Sequence, residues 1–180
     1  MLFDMQRDQV KILNLSASEN FAHKYILQSM GSCLINKYSE GYPGARYYGG
    51  NQFIDEIENL CIKRALEAFR LDPEKWHANV QPMSGSPANM AIYTALVPPG
   101  ERIMCLTADE GGHITHGFHI DGKRVSEQSK FWDCEMYYTD PKTDLVDYDG
   151  LAKKALEFKP KLICAGFCAY PRDIDYERLR

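Results

Sequence analysis

The sequence predicts an α/β fold, and three observations carry the prediction. Short apolar runs suited to buried strands recur at Arg102–Leu106, Glu135–Tyr138 and Lys161–Phe167. Between them lie stretches whose apolar residues repeat at three and four, the spacing of one helix face. At Gln81–Leu96, Q-P-M-S-G-S-P-A-N-M-A-I-Y-T-A-L, a serine–glycine turn opens a helix. Strand, glycine turn, helix and strand in succession form the βαβ pattern of a parallel sheet.

Composition bounds the function before any motif does. At 180 residues, 44% hydrophobic and 26% charged, the chain can bury a sizeable core. A net charge of -4, with no Lys/Arg-rich block, argues against nucleic acid as a partner. Met1-Leu2-Phe3 runs straight into Asp4, Arg7 and Asp8, and no apolar run reaches the length of a membrane span. The expectation is a cytoplasmic protein without a membrane partner. Cys33, Cys61, Cys105, Cys134, Cys164 and Cys168 are scattered and form no C-x-x-C pair, which reads as free, buried thiols without disulfides.

Residues 1–14 are mixed and polar, and Leu13–Asn20 ends in cap and turn residues. Ile26, Leu27, Met30 and Leu34 share one face, predicting an amphipathic helix over residues 22–35. Lys37–Asn51, K-Y-S-E-G-Y-P-G-A-R-Y-Y-G-G-N, has neither period. Its glycines permit tight turns and its tyrosines offer flat apolar faces with polar tips, so it suits a loop lining a ligand or a neighbouring subunit; a plain surface loop is the alternative. Glu40 is the single acid in it. Asn51 can cap a helix whose buried face carries Phe53, Ile57, Leu60, Cys61, Ala65 and Phe69, ending before Asp72-Pro73. Asn79-Val80 leads as a strand into the serine–glycine turn, and the helix behind that turn stops at Val97–Gly100. Asp149 can cap a helix carrying Leu151, Ala152, Ala155, Leu156 and Phe158.

Two clusters suggest chemistry. Ser86 has the side chain of an N-cap, with Pro87 at the first helical position, where a missing N–H costs nothing. Ser84 adds a hydroxyl and Gly85 lacks a Cβ, so an anion could approach the backbone amides at the positive end of the helix. The plain alternative is an ordinary capped helix. The second cluster is Asp109–Gly117, at the end of a strand, where parallel sheets bind ligands. His113, His116 and His119 are spaced three apart and could converge on zinc if the segment were helical. The flanking glycines oppose a helix, so no metal is assigned, and His113 is the preferred functional residue, as a planar ring stacked on a ligand.

At this point the residues carry a resemblance to the serine hydroxymethyltransferase family. It rests on A-S-E-N at 17–20, N-K-Y-S-E-G-Y-P-G-A-R-Y-Y-G-G at 36–50, Q-P-M-S-G-S-P-A-N at 81–89, G-G-H-I-T-H-G at 111–117 and K-L-I-C-A-G-F-C-A-Y at 161–170. The resemblance implies the large domain of a fold-type I transferase that uses pyridoxal phosphate as cofactor and tetrahydrofolate as co-substrate. It implies residues 1–50 as an N-terminal segment with an active-site and subunit-interface loop, and residues 51–180 as the first part of the cofactor-binding domain. Position by position, Ser18 and Tyr48 would bind the amino-acid substrate, serine or glycine. Glu40 would be the catalytic carboxylate that moves a proton. Ser84, Gly85 and Ser86 would hold the cofactor phosphate, and Tyr38 would reach the phosphate of a neighbouring subunit. His113 would stack on the cofactor ring, and Cys168 would stand near its phenolic oxygen. Tyr47, Gly112 and Ile114, with Glu40, would border the folate. The resemblance further implies a homodimer or a dimer of dimers.

The chain departs from the family pattern at Cys168, where the family has a hydroxyl residue, and at Ala108, where a leucine packs against folate. No lysine in these residues matches the family's Schiff-base motif, and family members run to more than twice this length. Two readings therefore stand: part of the enzyme, or a non-catalytic truncated paralogue acting as a phosphate-binding, dimerising module.

Overall fold

The computed structural model describes residues 11–13, 15, 16 and 18–180. The expectations for residues 1–10, Asn14 and Ala17, including part of the polar N-terminal stretch and the first residue of the A-S-E-N block, lie outside the described residues. The chain divides into two compact units, with the boundary between Val80 and Gln81.

In the first unit, α1 (Lys24–Met30) is capped by His23, whose ring accepts the Tyr25 N–H. It stops at Gly31, and a 3-10 turn, Cys33–Asn36, follows. The single helix expected over 22–35 is therefore two pieces. Gly31 carries the entropic cost of a residue without a Cβ, and the Ser32 hydroxyl competes for the backbone by accepting from Leu34 N–H and donating to Ser29 carbonyl. The tyrosine-rich loop contains a hairpin of β1 (Gly41–Tyr42) and β2 (Ala45–Arg46). Gly41 has φ 99°, and a Cβ there would meet the Ala45 carbonyl oxygen at 2.4 Å, so the hairpin closes only with glycine.

Helix α2 (Gln52–Ala68) follows, and its apolar period is as expected. Its burial is not. Leu66 is its one buried residue, while Phe53, Ile57 and Leu60, and Phe69 just beyond its end, are exposed in this chain. Among the described residues, no apolar layer covers this face. Asn51 occupies the N-cap position but makes no capping hydrogen bond. Its buried amide instead donates to the carbonyls of Tyr38 and Tyr48, and its oxygen accepts from Ser39 Oγ.

The second unit holds α3 (Gly85–Leu96), β3 (Arg102–Leu106), β4 (His119–Ile120), β5 (Lys123–Arg124), α4 (Gln128–Phe131), β6 (Asp133–Tyr137), α5 (Tyr148–Phe158), β7 (Leu162–Cys164) and α6 (Tyr176–Leu179). Strands β6, β3 and β7 form a parallel sheet in that order, with β4 and β5 as a separate antiparallel hairpin. The α/β expectation holds, with one correction. Residues 76–82 are irregular, so no strand leads directly into α3 and the expected first βαβ unit lacks its leading strand. Backbone crossing from β6 through α5 to β7 passes over the central β3, the connection a parallel pair requires.

Strand β3 is buried on both faces, and its period of two divides the core. Ile103 and Cys105 pack with Tyr93, Val97, Trp132 and Met136, whereas Met104 and Leu106 pack with Tyr137, Val146 and Leu151. Two caps sit two residues earlier than expected. Ser84, not Ser86, is the N-cap of α3, and Asp147, not Asp149, caps α5 by accepting the Gly150 N–H at 2.9 Å. Asp149 instead pairs with Arg178 at 2.6 Å. All six cysteines are free thiols, but Cys33, Cys61 and Cys168 are exposed rather than buried, because a short turn, an uncovered helix face and a loop carry them.

Candidate functional site

In the first unit Arg46 holds the loop from within. Arg46 Nε donates to Asp55 at 2.8 Å, its Nη2 to Glu58 at 2.6 Å, and its Nη1 to the carbonyls of Ser39 and Gly41. Only 5% of the Arg46 side chain is exposed, so this pairing is screened less than a surface ion pair. Asp55 also accepts the Gly44 N–H, and that bond, followed by the one from Arg46, holds its carboxyl below the usual 3.8. The hydrogen bonds to Asp55 and then Glu58 in turn raise the Arg46 pKa above its usual value. All three guanidinium nitrogens of Arg46 thus donate to partners other than Glu40.

Glu40 is exposed, and among the described residues its carboxylate has no ion-pair or hydrogen-bond partner. Tyr38 and Tyr48 pack edge to face with centroids 4.8 Å apart, held by the shared Asn51 amide. Tyr47 is 78% exposed. Ser18 lies at the surface with its hydroxyl 3.0 Å from that of Ser16.

In the second unit Ser84, Gly85 and Ser86 are exposed at the N-terminus of α3. The Ser84 side chain makes no capping bond, and neither serine hydroxyl has a partner among the described residues. The amides of Gly85 and Ser86 precede the first i→i−4 bond, from Ala88 N to Ser84 O, so both are donors without a helical acceptor. A Cβ built on Gly85 meets nothing within 4 Å. Two hydroxyls and two amides in open space at a helix N-terminus suit a phosphate dianion, and the donor set fits a phosphorylated cofactor.

A hydrogen-bond chain links this helix to His113. Asn89 on α3 donates through Nδ2 to Thr115 Oγ1 at 2.8 Å, and Thr115 bonds the His113 ring through both its hydroxyl and its N–H, the latter at 3.2 Å to Nδ1. Nδ1 of His113 is thereby an acceptor with a fixed partner, and the ring is oriented. Sequence reasoning missed Asn89 and Thr115. The available signals were an amide on an otherwise apolar helix and a threonine between two histidines.

Two glycines bring the Cys168 segment to the same turn. Gly111 accepts backbone bonds from Cys168 and Ala169, and Gly112 bridges to Phe167. A Cβ on Gly112 would lie 2.0 Å from the Leu106 carbonyl oxygen, so only glycine admits this approach. Ile114 is 59% exposed beside them. The histidine spacing that suggested zinc does not form a three-histidine site. Ile114–His116 is a 3-10 turn between left-handed Gly111 and Gly117, His119 lies on β4 bonded toward Gly117, and His116 turns inward to Tyr93 and Cys164.

A parallel sheet with a helix N-terminus open to solvent and a glycine-lined turn beyond β3 defines an α/β protein. The serine hydroxymethyltransferase family profile matches residues 2–180, and the chain belongs to that family. It is 54% identical to serine hydroxymethyltransferase of Caenorhabditis elegans, with 99% of the chain aligned to 36% of that protein. It is 58% identical to the cytosolic serine hydroxymethyltransferase of Oryctolagus cuniculus, over 93% of the chain and 35% of the relative. With serine hydroxymethyltransferase 3, chloroplastic, of Arabidopsis thaliana it shares 55% identity, over 96% of the chain and 32% of the relative. The chain thus spans about a third of the length of the curated relatives it matches.

Proposed function

We propose that this chain contributes part of the active site of a fold-type I, pyridoxal phosphate-dependent serine hydroxymethyltransferase, interconverting serine and tetrahydrofolate with glycine and 5,10-methylenetetrahydrofolate. The observation that carries the reading is the open donor set at Ser84–Ser86, matched to an anion and set at the start of α3, whose Asn89 orients His113 through Thr115. When bound, the cofactor supplies the electron sink that carbon–carbon cleavage of an amino acid needs.

The chain's own residues divide the remaining work. Ser84, Gly85 and Ser86 hold the phosphate, His113 presents its oriented ring to the cofactor ring, and Cys168 stands near the phenolic oxygen as a weak thiol donor. Ser18 and Tyr48 bind the amino acid. Glu40, uncommitted to Arg46, moves a proton on the serine hydroxyl or on the folate. Tyr47, Gly112 and Ile114 border the folate. Residues 1–50 serve the site as loop and subunit interface, and residues 51–180 as the first part of the cofactor-binding domain. Tyr38, exposed on that loop, reaches the phosphate of a second subunit, and the exposed Phe21, Tyr25, Ile26 and Met30 supply apolar surface for the homodimer, alone or doubled. A cytoplasmic setting accords with the cytosolic relative.

The test is cofactor retention. In a protein that carries this chain at the full length of its relatives, Ser84→Ala and Ser86→Ala each remove one hydroxyl donor to a dianion, worth ~1.5–3 kcal/mol, so each should weaken pyridoxal phosphate binding about 10- to 100-fold. Unchanged dissociation constants in both variants would remove the cradle from the account.

A further inference from the structure

Beneath the turn that carries His113, three ligating side chains from three separate elements meet. Cys105 on β3 and Cys164 on β7 are direct partners across the parallel pair, and His116 enters from the 3-10 turn above them. Their ligand atoms all lie within 4.8 Å of one another, and Cys164 Sγ is 3.0 Å from His116 Nδ1. Cys105 is 1% and His116 7% exposed, and Cys164 is half-buried. The Tyr93 hydroxyl is hydrogen-bonded to the same His116 nitrogen. None of these four residues has a part in the proposed transferase reading, and the inference does not rest on it.

We propose that Cys105, His116 and Cys164 form a binding site for a single soft divalent cation of the zinc class. The donor set is two sulfurs and an imidazole, which favour zinc over magnesium or calcium. The spacing is close to what the ion needs. A tetrahedral ion, with bonds of about 2.3 Å to sulfur and about 2.0 Å to nitrogen, separates its donors by roughly 3.5 Å, within the span already observed. Charge agrees as well, because two thiolates and a neutral imidazole cancel the two positive charges of the ion, and a solvent-poor pocket tolerates a neutral assembly best. Binding forms two metal–sulfur bonds and one metal–nitrogen bond, releases the thiol protons to solvent and changes no oxidation state. The fourth position falls to the Tyr93 hydroxyl or to water.

Without an ion the two thiols already differ in how they hold their protons. The hydrogen bond from Cys105, followed by that from His116, holds the Cys164 thiol well below its usual range, while the bond to Cys164 and then burial push Cys105 up. A bound ion would fasten β3, β7 and the turn to one centre, stiffening the segment in which the rings of His113 and His116 lie 5.6 Å apart.

The experiment is cobalt titration of the reduced, purified protein. One equivalent of Co2+ should bind with thiolate-to-cobalt charge-transfer absorption and tetrahedral d–d bands, and zinc should displace it. The variant with Cys33, Cys61 and Cys168 all changed to serine should keep the full spectrum. Cys164→Ser should lose charge-transfer intensity and bind at least ~10²-fold more weakly. Because Cys105→Ser and Cys164→Ser alter the core, X-ray absorption of the zinc-loaded parent protein supplies a reading without substitution, with two sulfur neighbours at about 2.3 Å and at least one nitrogen. A first shell without two sulfurs, no charge-transfer band, or a spectrum lost with the three exposed cysteines would overturn the site.

Discussion

Thr115→Val isolates the link between the helix of the cradle and the histidine ring. Valine keeps the branched shape but removes the hydroxyl, which accepts from Asn89 at 2.8 Å and bonds the ring of His113. Thr115 is 6% exposed, so water replaces neither contact readily. Two lost hydrogen bonds at ~0.5–1.5 kcal/mol each, with the Asn89 amide left half-buried and unsatisfied, give a loss of about 2–3 kcal/mol. For a chain of this size that corresponds to a fall in Tm of roughly 4–10 °C, read by circular dichroism on parent and variant. Thr115→Ser, which keeps the hydroxyl, should recover most of the loss. The ring should report the change independently, because its Nδ1 loses a fixed partner and the nitrogen-15 shift of His113 moves. A Tm within 1 °C of the parent, or a serine variant no better than valine, would refute the coupling of α3 to His113.

Three further outcomes follow from the same geometry. Gly112→Ala should cost ~3–5 kcal/mol and abolish soluble expression, because the obstructing atoms are backbone carbonyls at 2.0 and 2.7 Å; a stable alanine variant would contradict this. Asp55, with its folded pKa below the ordinary 3.8, contributes stability that is present above that value and lost as pH falls through the lower, folded one. Carboxyl carbon-13 shifts should therefore place its midpoint below 3.8, and a midpoint at or above that value would break the Arg46 assignment. Asn51→Leu, close in size but without donors, should release the carbonyls of Tyr38 and Tyr48 and speed proteolysis within residues 37–51 relative to the rest of the first unit; equal cleavage rates would contradict the clasp.

The α/β character was legible because it resides in local pattern. The apolar run Arg102–Leu106 reads as a strand in any context, and it is one. The order β6-β3-β7 was not legible, since no residue pattern states which strand lies between two others. Both displaced caps have one cause: Ser84 and Ser86, like Asp147 and Asp149, offer two capping side chains two residues apart, and only the backbone decides between them. The periodicity of α2 was correct while its burial was not, because a periodic face states that something covers it, not that this chain does. In the candidate site, the serine–glycine turn could be read from helix-terminus chemistry. Asn89, Thr115 and the Cys105–His116–Cys164 cluster could not, because each is assembled by residues far apart in sequence.

Glu40→Gln tests the central claim most directly, in a protein that carries this chain at the full length of its relatives. Glutamine keeps shape and hydrogen bonding and removes the base. Arg46 is satisfied by Asp55 and Glu58, so the loop should not rearrange. Serine turnover with tetrahydrofolate should fall ~10²- to 10⁴-fold, while pyridoxal phosphate and glycine still bind with parental affinity. Turnover at the parent rate would take Glu40 out of the chemistry and leave it a surface residue of the loop.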